Sequence, residues 1–269
     1  MKRSNRLIVL TQYFLENPHT HTQLPYFVDL CNTTKSSISE DLDIIHDVFE
    51  QQGIGYLHRT TGASGGVRFI PKNTEGKNEK FIQGLCEILK DPDRILPGGY
   101  LYMSDLLGDP KTVREIGRIF ASSFASLEID AVVTVATKGI PLAYAVASFL
   151  NVPVVIARRD PQVTEGSSVS INYVSGSSRK IQTMVLAKRS LKEGSKVCII
   201  DDFMKAGGTI TGIMNLLAEF DAEVKAIGVF AEADDEEEER KVTNYTSLIK
   251  ISHVDPEEKK MEIIPGNYR

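Results

Sequence analysis

Residues 197–209 read Val-Cys-Ile-Ile-Asp-Asp-Phe-Met-Lys-Ala-Gly-Gly-Thr: an apolar strand that runs into two carboxylates, then a glycine turn that opens a helix. Gly207 and Gly208 carry no Cβ, so backbone amides there can approach a ligand closely. The helix start adds unpaired N–H groups and the positive end of its dipole, and the Thr209 hydroxyl adds one more donor. Together these make a phosphate cradle. Asp201 and Asp202, at the carboxyl end of the strand, stand where open α/β sheets bind ligands. Carboxylates in that place accept hydrogen bonds from a ribose diol, so a phosphorylated ribose fits both halves. A structural hairpin could also use Asp-Asp and Gly-Gly as turn residues, but a pattern this long favours binding.

Two more strand ends carry polar groups. Ala136-Thr137-Lys138-Gly139 separates a strand from a helix and by itself is a generic turn. Arg158-Arg159-Asp160 follows the next strand, and reads either as anion-binding charge or as a surface ion pair. The stretch from Val163 to Gln182 is rich in Ser and Gly, the composition of a mobile loop.

The elements that must position these groups alternate. Strands are expected at Ala131–Ala136, Val152–Ala157, Val197–Ile200 and Val224–Ala231, with helices near 77–90, 110–127, 140–150 and 209–220. Apolar strands alternating with helices predict an α/β domain with a mostly parallel sheet, covered on both faces. The acidic run from Asp234 to Glu239 reads as a solvated loop or helix start, not a metal site.

Upstream the pattern differs. A helix is expected over 4–17, capped by Ser4 or Asn5, with Leu7, Leu10 and Phe14 on one face. Thr22 would cap a second helix carrying Leu24, Phe27, Val28 and Cys31. A third spans 35–51, with Ile38, Leu42, Ile45 and Phe49 inward and Ser37 to Glu40 as a capping box. Two short strands, 54–60 and 66–70, flank a Gly-rich connection suited to a hairpin. Three short helices and a hairpin make a winged helix-turn-helix. The polar segment Pro71 to Lys80 marks a boundary, giving domains 1–72 and 73–269.

Charge refines this division. The net −5 of the 269 residues gives no global sign of nucleic acid. Residues 1–72 are neutral, and five of their seven acids fall between Glu40 and Glu50, which leaves the flanks basic. In helix-turn-helix proteins the start of the recognition helix enters the major groove. Lys35, Ser36 and Ser37 are therefore expected at DNA, with Arg59 and Arg68 beside the wing and Lys2, Arg3 and Arg6 on the first helix. Ser37 could equally be only a cap, and the acids would face away from DNA.

An apolar fraction of 42 % and a charged fraction of 25 % exclude a disordered or collagen-like chain. Cys31, Cys86 and Cys198, odd in number and far apart, argue against a disulfide framework or a cysteine zinc site and suit a reducing cytosol. Met1 to Leu15 turns from basic to apolar, but no small-residue cleavage site follows. Ala131 to Ala157 is long enough to span a bilayer, yet Lys138, Pro141 and Pro153 divide it into strand, helix and strand. No membrane association is expected.

The 197–209 stretch resembles the phosphoribosyl-pyrophosphate (PRPP) loop of type I phosphoribosyltransferases. With KSSISEDL, FEQQGIG, GASGGV, ILPGGY, TVATKGIPLA, VTEGSSVSINYVSGSSRKIQTM and IDDFMKAGGTI, nearly the whole chain is similar to the purine operon repressor (PurR) family. That resemblance implies a cytoplasmic homodimer that binds operator DNA and regulates, as a repressor, genes of purine biosynthesis and transport. It implies PRPP with Mg²⁺, or guanosine tetraphosphate, as effector, with no resident cofactor or metal. It also assigns the effector site to Tyr100 of ILPGGY, to Thr137, Lys138 and Gly139, to Arg158, Arg159 and Arg179, and to the run Asp201, Asp202, Phe203, Met204, Lys205, Ala206, Gly207, Gly208 and Thr209. The alternative is a catalytic purine phosphoribosyltransferase. Against it, Lys205 and Ala206 stand where many catalytic relatives have an acid or small residue and then Thr, and an enzyme has no need of a winged helix. A winged helix with an empty sugar-phosphate domain is a third reading, disfavoured by the intact acid pair and glycine turn.

Overall fold

The computed structural model describes residues 1–62, 65–72, 75–97, 100–160, 166–174, 181–234, 240–255 and 260–268. The first unit contains α1 (Arg3–Glu16), α2 (Leu24–Cys31) and α3 (Lys35–Gln51), then a two-stranded wing of β1 (Gly55–Thr60) and β2 (Gly66–Pro71). Leu10, Phe14, Phe27, Ile38, Leu42 and Phe49 lie in its core, as the helical spacing predicts, and Phe69 of β2 packs among them. The helix starts differ from expectation. Lys2 precedes α1 and no side chain caps that end. Gln23, not Thr22, is the N-cap of α2. Thr22 is instead held by the Tyr13 hydroxyl at 2.8 Å and by a backbone bridge to Val67, which ties the loop to the wing. The cap of α3 is Thr34, whose hydroxyl accepts the Ser37 N–H at 3.3 Å, so the Ser37–Glu40 box is not used.

The second unit begins with α4 (Glu75–Leu89), a small ribbon of β3 (Ile95–Leu96) and β4 (Tyr100–Leu101), α5 (Ser104–Gly108) and α6 (Pro110–Ser123). There follow β5 (Ala131–Val135), α7 (Gly139–Leu150), β6 (Val154–Ala157), β7 (Ser168–Val174), β8 (Ile181–Ala187), β9 (Lys196–Met204), α8 (Gly208–Ala218), β10 (Glu223–Ala233), β11 (Thr246–Asp255) and β12 (Lys260–Pro265). Six strands form one sheet in the order β12-β11-β10-β9-β5-β6, parallel except for β12. One apolar cluster, including Phe120, Leu142 and Phe230, packs on one face; another, including Ile199, Ile213 and Val229, packs on the other. Sequence neighbours β5 and β6 lie on one side of the β5/β9 boundary, and β9, β10 and β11 on the other. Such a switch of strand order opens a crevice at the carboxyl ends of the strands.

Three expectations for this unit are corrected. The pairing of β9 with β10 continues to Met204, opposite Glu232, so the strand does not stop at Ile200. Residues 168–174 and 181–187 are paired strands, not loop. The C-terminal strands β11 and β12 extend the sheet beyond the elements expected from sequence. Among the described residues no helix is long and apolar enough to cross a membrane.

Candidate effector and DNA-binding sites

Asp201 and Asp202 are the sixth and seventh of the nine residues of β9, the strand adjacent to β5 across the switch point. Asp201 is 5 % exposed and Asp202 is half-buried. Asp201 Oδ1 accepts the Asp202 N–H at 2.9 Å. Burial, with the neighbouring acid as a second cause, lifts the Asp201 carboxyl well above the usual carboxylate range. Burial raises Asp202 as well, against the opposing pull of the Lys138 ammonium. A ligand that donates hydroxyl protons and brings countercharge relieves both costs.

The glycine turn is built as the sequence suggests. Gly207 has φ +82° and is the N-cap of α8, a conformation L side chains rarely adopt. Behind it, the Lys241 N–H donates to the Ala206 carbonyl at 3.0 Å, and Val242 packs against Gly207. The first N–H groups of α8 have no acceptor within the helix. Gly208 is buried, whereas Thr209 and Lys205 are half-buried.

The turn after β5 meets this strand directly. Thr137 and Lys138 are exposed, and Gly139 opens α7. A Cβ added to Gly139 would stand 2.3 Å from Thr134 Oγ1 and 3.3 Å from Asp201 Oδ1, so only glycine lets α7 start this close to β9. After β6, Arg158 forms a two-way backbone bridge with Val185 of β8, at 2.9 and 2.7 Å, which fixes the hairpin beside the sheet. Arg159 is exposed. Tyr173 of that hairpin packs on Gly212 of α8.

Not every expected residue joins the cluster. Met204 and Ala206 are 2 % and 7 % exposed and belong to the apolar core, so their side chains support the turn from within. Phe203 is half-buried on β9. Tyr100 is 63 % exposed on β4, outside the six-stranded sheet. Arg179 lies outside the described residues. Sequence reading missed Thr134, buried in β5, and the backbone of Lys241 and Val242 behind the glycine turn. Thr134 sits in an apolar run that looks like plain core, and the other two are brought in by tertiary contact.

On the winged helix, Lys35 and Ser36 are exposed at the start of α3, and Ser37 is part of the Thr34 cap. Lys2 and Arg68 are also exposed. Arg6 is a correction: it is buried, its Nε donating to Asp41 at 2.6 Å and its Nη1 to the Met1 carbonyl at 3.1 Å. Arg3 shares Asp41 at 3.2 Å, and Arg59 pairs with Asp43 at 2.7 Å. The acids of α3 do not all turn away from these cations; Asp41 and Asp43 anchor them.

Residues 2–71 match the family model for the bacterial purine repressor N-terminal domain, and residues 103–260 match the phosphoribosyl transferase domain. The chain is 58 % identical over 267 residues to the purine biosynthesis transcriptional repressor PurR of Bacillus subtilis (strain 168), covering 99 % of this chain and 93 % of that one. It is 43 % identical to the purine biosynthesis transcriptional activator PurR of Lactococcus lactis subsp. lactis (strain IL1403), over 99 % of this chain and 98 % of that one. Among solved structures, an adenine phosphoribosyltransferase from Thermoanaerobacter pseudethanolicus matches with a TM-score of 0.53 and 20 % identity. That match spans 61 % of this chain and 99 % of the other, and concerns the fold alone.

Proposed function

Since the chain belongs to the bacterial purine repressor family, we propose that its phosphoribosyltransferase domain is a sensor whose ligand, PRPP with Mg²⁺, loosens the grip of the winged helix on operator DNA. The protein is a DNA-binding transcriptional regulator of purine biosynthesis. Repression is the sign we assign, following the relative of higher identity.

The observation that carries the effector reading is the convergence at the β5/β9 switch point. There the buried Asp201 and half-buried Asp202, the Gly139 turn and the Gly207–Gly208 turn meet at neighbouring strand ends. In this reading the α8 N-terminus and Thr209 take the 5′-phosphate, Asp201 and Asp202 the ribose diol, and Lys138 with Arg158 and Arg159 the pyrophosphate. Guanosine tetraphosphate, also a polyphosphorylated ribose, would compete for the phosphate-binding groups. Sensing is favoured over turnover because position 205 offers a cation, and 206 a buried methyl, where many catalytic sites present an acid or small residue and then a hydroxyl. The working form is a cytoplasmic homodimer, which supplies two winged helices to two operator half-sites.

The test is an operator titration with and without PRPP, on the wild type and on an Asp201→Asn/Asp202→Asn double variant. PRPP is expected to weaken operator binding by the wild type. The double variant should bind operator normally and respond at least tenfold less, the size of one lost hydrogen bond to a charged group, roughly 1.5–3 kcal/mol. If it releases DNA at the same PRPP concentration as the wild type, the effector site is elsewhere.

A further inference from the structure

Glu232 stands near the end of β10, opposite Met204 of β9, and is 4 % exposed. A buried carboxylate is retained only where its charge and lone pairs are met. Three side chains meet them here. The Tyr245 hydroxyl donates to Oε2 and the Ser247 hydroxyl to Oε1, each at 2.5 Å. Arg240 Nη1 donates to Oε2 as well, while its Nη2 donates to the Ala233 carbonyl at 3.0 Å. The guanidinium also lies over the Tyr245 ring, 5.5 Å from its centre. Residues 240 and 245 are thus tied to one carboxylate, and between them lie the two that touch the glycine turn. The Lys241 N–H donates to the Ala206 carbonyl at 3.0 Å, and a Cβ added to Gly207 would fall 3.0 Å from Val242 Cγ2. The Ala206 carbonyl and the Gly207 N–H share one peptide plane, and in a trans peptide they point in opposite directions. A donor that holds the carbonyl on the Lys241 side therefore turns the Gly207 N–H to the other side. Glycine does not keep such an orientation unaided, because its backbone is the least restricted of any residue's.

We propose that Glu232, acting through Arg240 and Tyr245, is a positioning residue for the phosphate turn: it clamps segment 240–245 so that the Gly207 N–H is presented to the 5′-phosphate. The inference deepens the effector reading above and rests on it. An amide already aimed at the anion pays no ordering cost when the ligand arrives. A turn free to rotate that peptide plane would present the carbonyl, which repels a phosphate, for part of the time.

The experiment measures PRPP and pyrophosphate binding by calorimetry in the full-length wild type, Glu232→Gln and Tyr245→Phe. Glutamine keeps the shape and removes the charge; phenylalanine removes one hydroxyl and keeps the ring beneath the guanidinium. Melting curves and operator binding without ligand show which variants fold, and Tyr245→Phe carries the test if Glu232→Gln does not. PRPP affinity is expected to fall roughly tenfold in Glu232→Gln, the size of one hydrogen bond to a charged group, and several-fold in Tyr245→Phe. Pyrophosphate, assigned above to Lys138, Arg158 and Arg159, should bind all three proteins alike, which a general loosening of the fold would not allow. Unchanged PRPP affinity in every variant that folds would overturn the proposal. So would a parallel loss of PRPP and pyrophosphate, which would mean that the network only supports the domain. A wild type that does not bind PRPP would instead overturn the effector reading, and the role of Glu232 with it.

Discussion

Asp201 carries an electrostatic penalty that the proposed ligand would relieve. A carboxyl whose folded pKa is raised above its unfolded value imposes no cost below the unfolded pKa, where it is protonated in both states. The cost grows as pH rises toward the folded pKa and is complete above it. Asp202 adds a like charge at short range, and Lys138 offsets part of it on the Asp202 side. Asp201→Asn should therefore stabilise the protein near neutral pH, by roughly 0.5–2 kcal/mol, the usual scale of such gains at sites kept for function. The gain should shrink toward about pH 4, where the unfolded carboxyl is itself protonated. Urea unfolding of both proteins across that range checks it. A difference that stays constant with pH would mean that the carboxyl is not held in its raised state. The penalty was invisible in the sequence, which placed two acids at a strand end but could not say that one would be enclosed by Gly139 and β5.

At the scale of elements, the winged helix separates cations that build the fold from cations free to meet DNA. Helical spacing located α3 over 35–51 as the structure has it, because its apolar residues recur at every turn. The partners of Arg6 and Arg59 were not legible. Asp41 and Asp43 lie 35 and 16 residues away along the chain, and only folding brings them together. The hairpin of β7 and β8 was hidden for another reason. The alternation of Val169, Ile171 and Tyr173 was present, but surrounding Ser and Gly gave the segment the composition of a loop. These differences sort the expected DNA contacts. Lys35→Ala should leave thermal stability unchanged, weaken operator binding and reduce the salt slope by about one unit for one lost phosphate contact. Arg6→Ala should instead lower the melting temperature by leaving Asp41 buried with a weaker partner. Melting curves beside binding isotherms at several salt concentrations separate the two. An Arg6→Ala protein that melts like the wild type yet binds DNA poorly would restore Arg6 to the DNA face.

Across the whole molecule, α7 joins the two chemistries. It starts at Gly139 beside Asp201 and ends near Asn151, whose side-chain amide donates to Thr20 Oγ1 at 2.8 Å, in the connection between α1 and α2. Its 12 residues span about 18 Å, one rigid rod from the proposed effector site to the winged helix. The two-domain division could be read from the change in pattern along the chain, but a contact between residues 20 and 151 could not, since both read as ordinary turn positions. On the proposed function, linkage requires that PRPP and operator weaken each other by the same factor. Two origins of that factor separate on salt. Phosphates of DNA competing for Lys138, Arg158 and Arg159 would give a coupling that fades at high ionic strength, once the salt dependence of operator binding itself is removed. A coupling carried by α7 would persist. Asn151→Ala cuts this interdomain hydrogen bond at a position remote from both ligands, so each ligand alone should bind with its wild-type affinity. The coupling factor should fall several-fold, within the 5–150-fold range roughly typical of coupled sites. Measuring the four affinities of the cycle at low and high salt decides the matter. If the Asn151→Ala protein couples as strongly as the wild type, and the factor collapses with salt in both, the two ligands compete by charge and α7 is only a scaffold.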